Sequence, residues 1–123
     1  RHAGGMVRLE SVQNATDQAR CVAARLTGKP HAYDALPWFW SDQGSDKLQI
    51  AGLFNGFDHT IVRGSPRDNS FSVFCYKGEQ LLAVESVNRA GDHVAGRKIL
   101  GAGGNITPAQ AADPAFDLRA AAR

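Results

Sequence analysis

Apolar residues recur every three or four positions in the first third of the chain, which predicts an amphipathic helix. These residues are Val12, Ala15, Ala19, Val22, Ala23 and Leu26. Either Ser11 or Asn14 offers the oxygen that caps a helix N-terminus. Gly28 stands where a left-handed residue ends a helix, and Pro30 prevents continuation. We therefore expect a helix over about residues 11–27.

From Lys47 onward the pattern changes to alternating and β-branched segments separated by turn residues. Such segments predict β-strands at 48–53, 59–63, 70–76 and 81–87. The last two are separated only by a short turn around Gly78. Because a parallel crossover needs a much longer connection, these two strands should form an antiparallel hairpin.

The last third predicts helices again. Asp92 is expected to cap a second helix that ends before Gly101, and Thr107 to cap a short third helix over residues 108–112. The tail over 115–123 is expected to be frayed, with Phe116 and Leu118 as anchors. The resulting fold class is α+β: an antiparallel sheet with flanking helices against one face, preceded by a boundary between two structural units near residues 28–36.

Composition narrows the function classes. The 123 residues are 43% hydrophobic and 21% charged with a formal net charge of +2, and the basic residues are scattered, so nucleic-acid binding is not expected. No apolar run approaches the ~18 residues of a membrane span. Cys21 and Cys75 are isolated in sequence, which predicts buried thiols in a reducing cytoplasm. The four histidines lack metal-ligand spacing, so no metal site is expected.

Only one cluster suggests a binding site. The glycines at 101–104 are predicted to follow a helix, where carbonyl groups repel phosphate, so they do not predict a dinucleotide site. No serine has the sequence context of a catalytic nucleophile. Trp38, Phe39 and Trp40 are adjacent, and their composition leaves two alternatives open: packing in a core or oligomer interface, or a platform for a flat ligand such as a flavin.

Several ordered blocks resemble the C-terminal part of the FAD-dependent ferredoxin reductases, the putidaredoxin, rhodocoxin and biphenyl-dioxygenase reductase type that is related to apoptosis-inducing factor. The blocks cover nearly the whole chain and lie at residues 8–19, 37–43, 48–53, 71–74, 82–84, 87–89 and 96–98. Gly44, Ser45 and Asp46 depart from the pattern of these relatives, as do Ala90 and His93. Because of Ala90 and His93, the resemblance does not predict how the second helix packs locally.

The resemblance implies a particular domain organisation. Residues 1–33 would be the C-terminal end of an FAD-binding domain, and residues 34–123 would be the reductase C-terminal domain, which often contributes to dimerisation. The phosphate-binding loops of such a protein would lie upstream. The chain, which begins with Arg1, would then be a segment of a longer polypeptide and inactive alone.

The resemblance also implies cofactor-binding residues. Val12 matches a position that contacts the flavin end of FAD, and Trp40 matches the tryptophan next to FAD. Glu10 and Ser11 match positions near NADH, with Trp38 beside them. Which tryptophan faces the flavin stays open, and no catalytic residue is expected within this chain.

The function implied is that of a cytoplasmic NAD(P)H:ferredoxin oxidoreductase that passes electrons from NADH through FAD to a [2Fe–2S] ferredoxin. A homodimer is a further expectation, and neither nucleic acid nor a membrane is an expected partner. Two alternatives remain. One is a stand-alone interaction or dimerisation module without activity, and the other is a flavin reductase for another acceptor, such as rubredoxin or monodehydroascorbate.

Overall fold

The computed structural model describes residues 5–122, and its centre is a five-stranded antiparallel sheet. The strands lie in the order β1-β2-β5-β4-β3, with bounds β1 (Trp38–Gln43), β2 (Asp46–Gly52), β3 (His59–Ser65), β4 (Ser70–Lys77) and β5 (Gln80–Val87). The four predicted strands and the β4–β5 hairpin are confirmed. Strand β1 was not predicted. It forms because Gly44, with a φ of 62°, lets the chain turn back and pair β1 with β2.

The helices pack against one face of this sheet, as predicted. They are α2 (Ala90–Gly101), α3 (Pro108–Ala112) and α4 (Leu118–Ala121). Helix α2 lies so close to β5 that a Cβ on Gly96 would meet Val84 Cγ2 at 2.9 Å. The sheet and helices share one apolar core: Ala51, Phe74, Tyr76, Leu81, Val84, Ala95, Ile99, Leu100, Ile106, Ala111 and Leu118.

The opposite face of the sheet carries a row of paired residues that crosses all five strands. The row runs Phe39, Ile50, Glu85, Val73 and Val62. Phe39 and Val62 are exposed, and the three residues between them are half-buried. The half-burial of Glu85 raises the pKa of its carboxyl group. No described helix covers this row.

Two sequence predictions about the helices are corrected. Arg89, not Asp92, is the N-cap of α2, and Asp92 lies inside the first turn. There its buried carboxylate accepts hydrogen bonds from Ser72 Oγ at 2.9 Å and Arg89 Nε at 2.6 Å, so it serves a polar network rather than the cap. The tail is not frayed through residue 122, because it forms α4 and buries Leu118. The predicted Thr107 cap of α3 is confirmed.

A buried arginine ties the C-terminal segment to the sheet. The guanidinium of Arg63, on β3, donates hydrogen bonds to four backbone carbonyls: those of Ala111 at 3.3 Å, Asp113 at 2.5 Å, Pro114 at 3.2 Å and Phe116 at 2.9 Å. These carbonyls include groups that the end of α3 leaves without helical partners. Arg63 therefore caps α3 and fixes the path of the chain towards α4.

Candidate functional site

The N-terminus of helix α1 (Val12–Leu26) forms one side of the candidate site. Of the two predicted candidates, Ser11 is the N-cap, and its hydroxyl oxygen accepts a hydrogen bond from the Asn14 backbone N–H at 3.1 Å. The other amides of a first helical turn have no carbonyl partner within the helix, and the helix dipole makes this end electropositive. The start of α1 therefore suits an electron-rich, hydrogen-bond-accepting group.

The apolar stripe of α1 faces away from the rest of the described chain. Val12, Val22 and Leu26 are 66%, 57% and 81% exposed. The two residues of α1 that are buried are the amides Gln13 and Asn14, each 7% exposed. The three- and four-residue spacing of apolar residues therefore predicted the helix correctly. Within residues 5–122, however, the helix contacts its neighbouring segments through its polar edge.

The two tryptophans of strand β1 form the other side of the site. Because they lie two residues apart on a strand, Trp38 and Trp40 share one face of the sheet. Their rings are stacked, with centroids 5.4 Å apart and planes inclined by 28°. The Arg97 guanidinium carbon lies 4.0 Å from the centroid of the Trp38 ring, a cation–π contact, and the His93 ring centroid lies 5.9 Å from it. Helix α2 therefore holds the Trp38 ring in place.

His93 supports Trp38 as an uncharged ring. It is only 1% exposed, and neither ring nitrogen has a hydrogen-bond partner among the described residues. Burial, followed by the positive charge of Arg97, lowers the pKa of His93 to about 4. At neutral pH the imidazole is therefore neutral and packs against the indole as an aromatic group.

A pocket joins the N-terminal segment to β1. Its volume is about 270 Å³, and its walls come from the segment before α1, from the start of β1 and from the end of β2. We call it the Glu10–Trp38 pocket; it is lined by Arg8, Leu9, Glu10, Ser11, Pro37, Trp38, Phe39, Ile50, Gly52, Leu53 and Phe54. Glu10 is paired with Arg8 at 2.8 Å at the exposed rim, so the pocket combines an apolar interior with a charged edge.

The structure brings together three of the five residues predicted for the site, since Glu10, Ser11 and Trp38 line this pocket. Val12 and Trp40 do not line it, although each adjoins it. Val12 follows Ser11, and Trp40 stacks on Trp38. Sequence reasoning missed Arg97 and His93, which lie more than fifty residues from Trp38 in sequence, and it missed Gln13, which is not part of the apolar stripe that predicted α1.

The residues present fit a flavin. An isoalloxazine is a flat ring system with carbonyl oxygens at one edge, so it needs an apolar wall and N–H donors. The Trp40 indole, stacked on that of Trp38, offers the wall, and the first turn of α1 offers the donors. Gln13 links the two elements, because its side-chain oxygen accepts a hydrogen bond from the Trp38 backbone N–H at 3.3 Å.

Comparison with known proteins places the chain among reductase domains. Residues 38–122 match the family model described as "Reductase C-terminal". The chain is 58% identical over 117 residues to rhodocoxin reductase of Rhodococcus erythropolis, covering 95% of this chain and 27% of that protein.

Two solved structures resemble the fold. One is a ferredoxin reductase from Rhodopseudomonas palustris, with a TM-score of 0.94 and 64% identity over 98% of this chain and 30% of that one. The other is a covalent putidaredoxin reductase–putidaredoxin complex, with a TM-score of 0.87 and 42% identity over 94% of this chain and 28% of that one. The chain thus spans less than a third of the length of each of these relatives. Within residues 5–122, no helix is long and apolar enough to cross a bilayer.

Proposed function

Since this chain belongs to the family of reductase C-terminal domains, we propose that it is the C-terminal part of a flavoprotein that passes electrons from NADH through FAD to a [2Fe–2S] ferredoxin. Residues 1–33 would then close the FAD-binding domain, and residues 34–123 would form the C-terminal domain. The relatives named as ferredoxin reductases support the proposal, as does the solved complex of putidaredoxin reductase with putidaredoxin.

The observation that carries the proposal is the meeting of two segments that are far apart in sequence. Glu10 and Ser11 precede α1, and Trp38 begins β1, yet all three line one pocket. The resemblance had linked these same residues to the nicotinamide side of the site, and Val12 and Trp40, which it linked to the flavin, adjoin the pocket. A stand-alone interaction module does not require an open helix N-terminus beside an indole pair, whereas a flavin site uses both.

We assign each segment a role in such an enzyme. Val12 and Trp40 would hold the flavin, with the amides of α1 facing the electron-rich edge of its ring. Glu10, Ser11 and Trp38 would lie on the nicotinamide side, where the apolar lining of the pocket excludes water. FAD, when bound, supplies the chemistry of accepting a hydride and releasing single electrons. The chain itself binds and orients.

The proposal is tested by comparing the 123-residue chain with the longer polypeptide expected to contain it. The longer polypeptide should purify with about one FAD per chain and should reduce a [2Fe–2S] ferredoxin with NADH. The 123-residue chain should purify without flavin and show no reductase activity, because it lacks the phosphate-binding loops. Flavin absorbance and ferredoxin reduction measure both results.

Two outcomes would contradict this function. One is a coding region in which a start codon lies close to Arg1, so that no FAD-binding domain precedes the chain. The other is a 123-residue chain that binds FAD stoichiometrically, because then the site would not be shared with an upstream domain. If the longer polypeptide reduced a rubredoxin faster than any ferredoxin, the proposal of a flavoprotein would stand, and only the proposed acceptor would change.

A further inference from the structure

The side-chain amides of Gln13 and Asn14 connect α1 to the segment that carries the tryptophans. Both residues are polar and 93% buried in the first turn of α1. Gln13 bonds the backbone of Trp38 at the start of β1. Asn14 bonds the phenol of Tyr33, in the connector before β1. These hydrogen bonds cross from residues 12–26 to residues 33–38, whereas Val12, Val22 and Leu26 of the apolar stripe remain exposed.

The orientation of the Gln13 amide is fixed by its surroundings. Its Nε2 lies 2.5 Å from a carboxylate oxygen of Asp17. Because an ionised carboxylate can only accept, the NH₂ group must face Asp17. The amide oxygen must then face the Trp38 N–H, which can only donate. In this orientation the amide NH₂ group faces an acceptor and the amide oxygen faces a donor. A flipped amide would lose both hydrogen bonds.

The Asn14 amide is fixed in the same way. Its Nδ2 donates to the Leu9 carbonyl at 2.9 Å, which fixes its oxygen on the opposite side. That oxygen accepts from Gln18 Nε2 at 3.0 Å and from the Tyr33 hydroxyl at 2.9 Å. Burial, followed by the charge of Asp17, raises the pKa of Tyr33, so the phenol keeps the proton that it donates.

We propose that Gln13 and Asn14 are positioning residues that set the placement of Trp38 and Trp40 relative to the N-terminus of α1. The inference rests on the proposed function, because the two elements so joined are the wall and the donor end of the flavin site. Neither amide needs to touch the flavin. A shift of β1 against α1 would move the indoles and the helix amides apart, and the ring would lose one of its two kinds of contact.

The decisive variants first remove the Gln13 amide and then exchange the amide and the carboxylate between positions 13 and 17. Gln13→Met removes the oxygen that accepts from Trp38 at similar volume. The exchange Gln13→Glu with Asp17→Asn restores both bonds, since a Glu oxygen accepts from Trp38 while the Asn amide donates to it. Gln43→Met is the matched control, because Gln43 is exposed at the far end of β1.

Two readouts separate this proposal from the proposed function. The first is near-UV circular dichroism of the indole pair, which needs no flavin because both tryptophans of the chain lie in β1. The second is the dissociation constant of FAD in the longer flavoprotein. We expect Gln13→Met to change the indole signal and to raise the FAD dissociation constant about fivefold to tenfold, the size expected for one hydrogen bond. The double exchange should restore both, and Gln43→Met should alter neither.

The following results would overturn the positioning role. Gln13→Met could lower thermal stability while leaving the indole signal and FAD affinity unchanged, which would make the amide merely structural. Alternatively, the double exchange could fail to restore either readout. If Gln13→Met does not fold, Tyr33→Phe removes only the hydroxyl bonded to Asn14 and must change the same two readouts. If the wild-type protein binds no FAD, the proposed function fails while the indole signal still decides whether Gln13 places β1.

Discussion

Helix α1 and the sheet-and-helix unit over residues 38–122 are held in place by different kinds of contact. The unit buries large apolar side chains, with Phe74, Tyr76 and Val84 at most 1% exposed. Helix α1 instead buries two amides and leaves its apolar stripe uncovered. The difference shows that an amphipathic period predicts a helix without saying whether its apolar side is covered within the same chain.

The largest expected effect comes from making one substitution in both regions. Leu81→Ala in the core of the unit should lower the free energy of unfolding by about 2–5 kcal/mol, because it leaves a cavity that the packed core cannot fill. Leu26→Ala on α1 should change it by less than about 0.5 kcal/mol, because Leu26 is 81% exposed. Urea denaturation of the 123-residue chain measures both.

The same pair of variants also sharpens the comparison. In a longer polypeptide that covers the stripe of α1, Leu26→Ala should become as destabilising as Leu81→Ala. Equal losses for both variants in the 123-residue chain would mean that the stripe is already packed there, and the comparison would be wrong.

The second-largest expected effect is a loss of folding stability in acid, on the order of 3 kcal/mol. Folding lowers the pKa of His93 to about 4 from its ordinary value of 6.5. Between these two values the unfolded chain binds a proton that the folded chain does not, so stability should fall as the pH falls from about 6.5 to 4. Below pH 4 both states are protonated, and this contribution stops changing.

The test uses His93→Phe, which keeps an aromatic ring beside Trp38 without nitrogens that need partners. This variant should lose the His93 part of the pH dependence and be more stable than wild type at pH 5, as followed by thermal unfolding across pH. His31→Phe is the control, because His31 lies exposed in the connector between α1 and β1. An unchanged pH profile in His93→Phe would show that the ring is protonated inside the fold.

The smallest predicted effect lies at the junction between the two regions. Trp40→Ala in the longer flavoprotein should weaken FAD retention, because a stacked aromatic pair contributes about 1 kcal/mol beyond its buried area. The flavin absorbance should also shift. Val62→Ala is the control, since Val62 lies exposed on β3, at the other edge of the sheet, and does not line the Glu10–Trp38 pocket. Unchanged flavin content and spectrum in Trp40→Ala would remove Trp40 from the site.

Much of the fold could be predicted because local patterns determine it. The Ser11 cap, the left-handed Gly28 that follows α1, the Thr107 cap and the β4–β5 turn each depend on residues within a few positions of one another. Strand β1 escaped prediction because the alternation of Trp38, Phe39 and Trp40 has no polar position to mark its period. Its identity as a strand depends on pairing with β2.

The site could be predicted only in part, for a related reason. The resemblance pointed to Glu10, Ser11 and Trp38, and the fold brings these residues to one pocket. Arg97 and His93 meet Trp38 only because α2 packs back over the sheet, and no local pattern encodes that approach. Asp92 was expected to cap α2, but its carboxylate instead accepts hydrogen bonds from the buried Ser72 side chain and the half-buried Arg89 side chain.

The four hydrogen bonds from the Arg63 guanidinium to backbone carbonyls join the C-terminal segment to the sheet. A guanidinium buried to this depth has exchanged water for backbone oxygens supplied by residues 111–116. A polypeptide shortened before residue 111 would leave the Arg63 cation on β3 without these acceptors. The loss of stability would therefore extend from the terminus into the interior of the fold. Residues 111–123 therefore stabilise the sheet as well as their own segment, and removing them would destabilise more of the fold than the part removed.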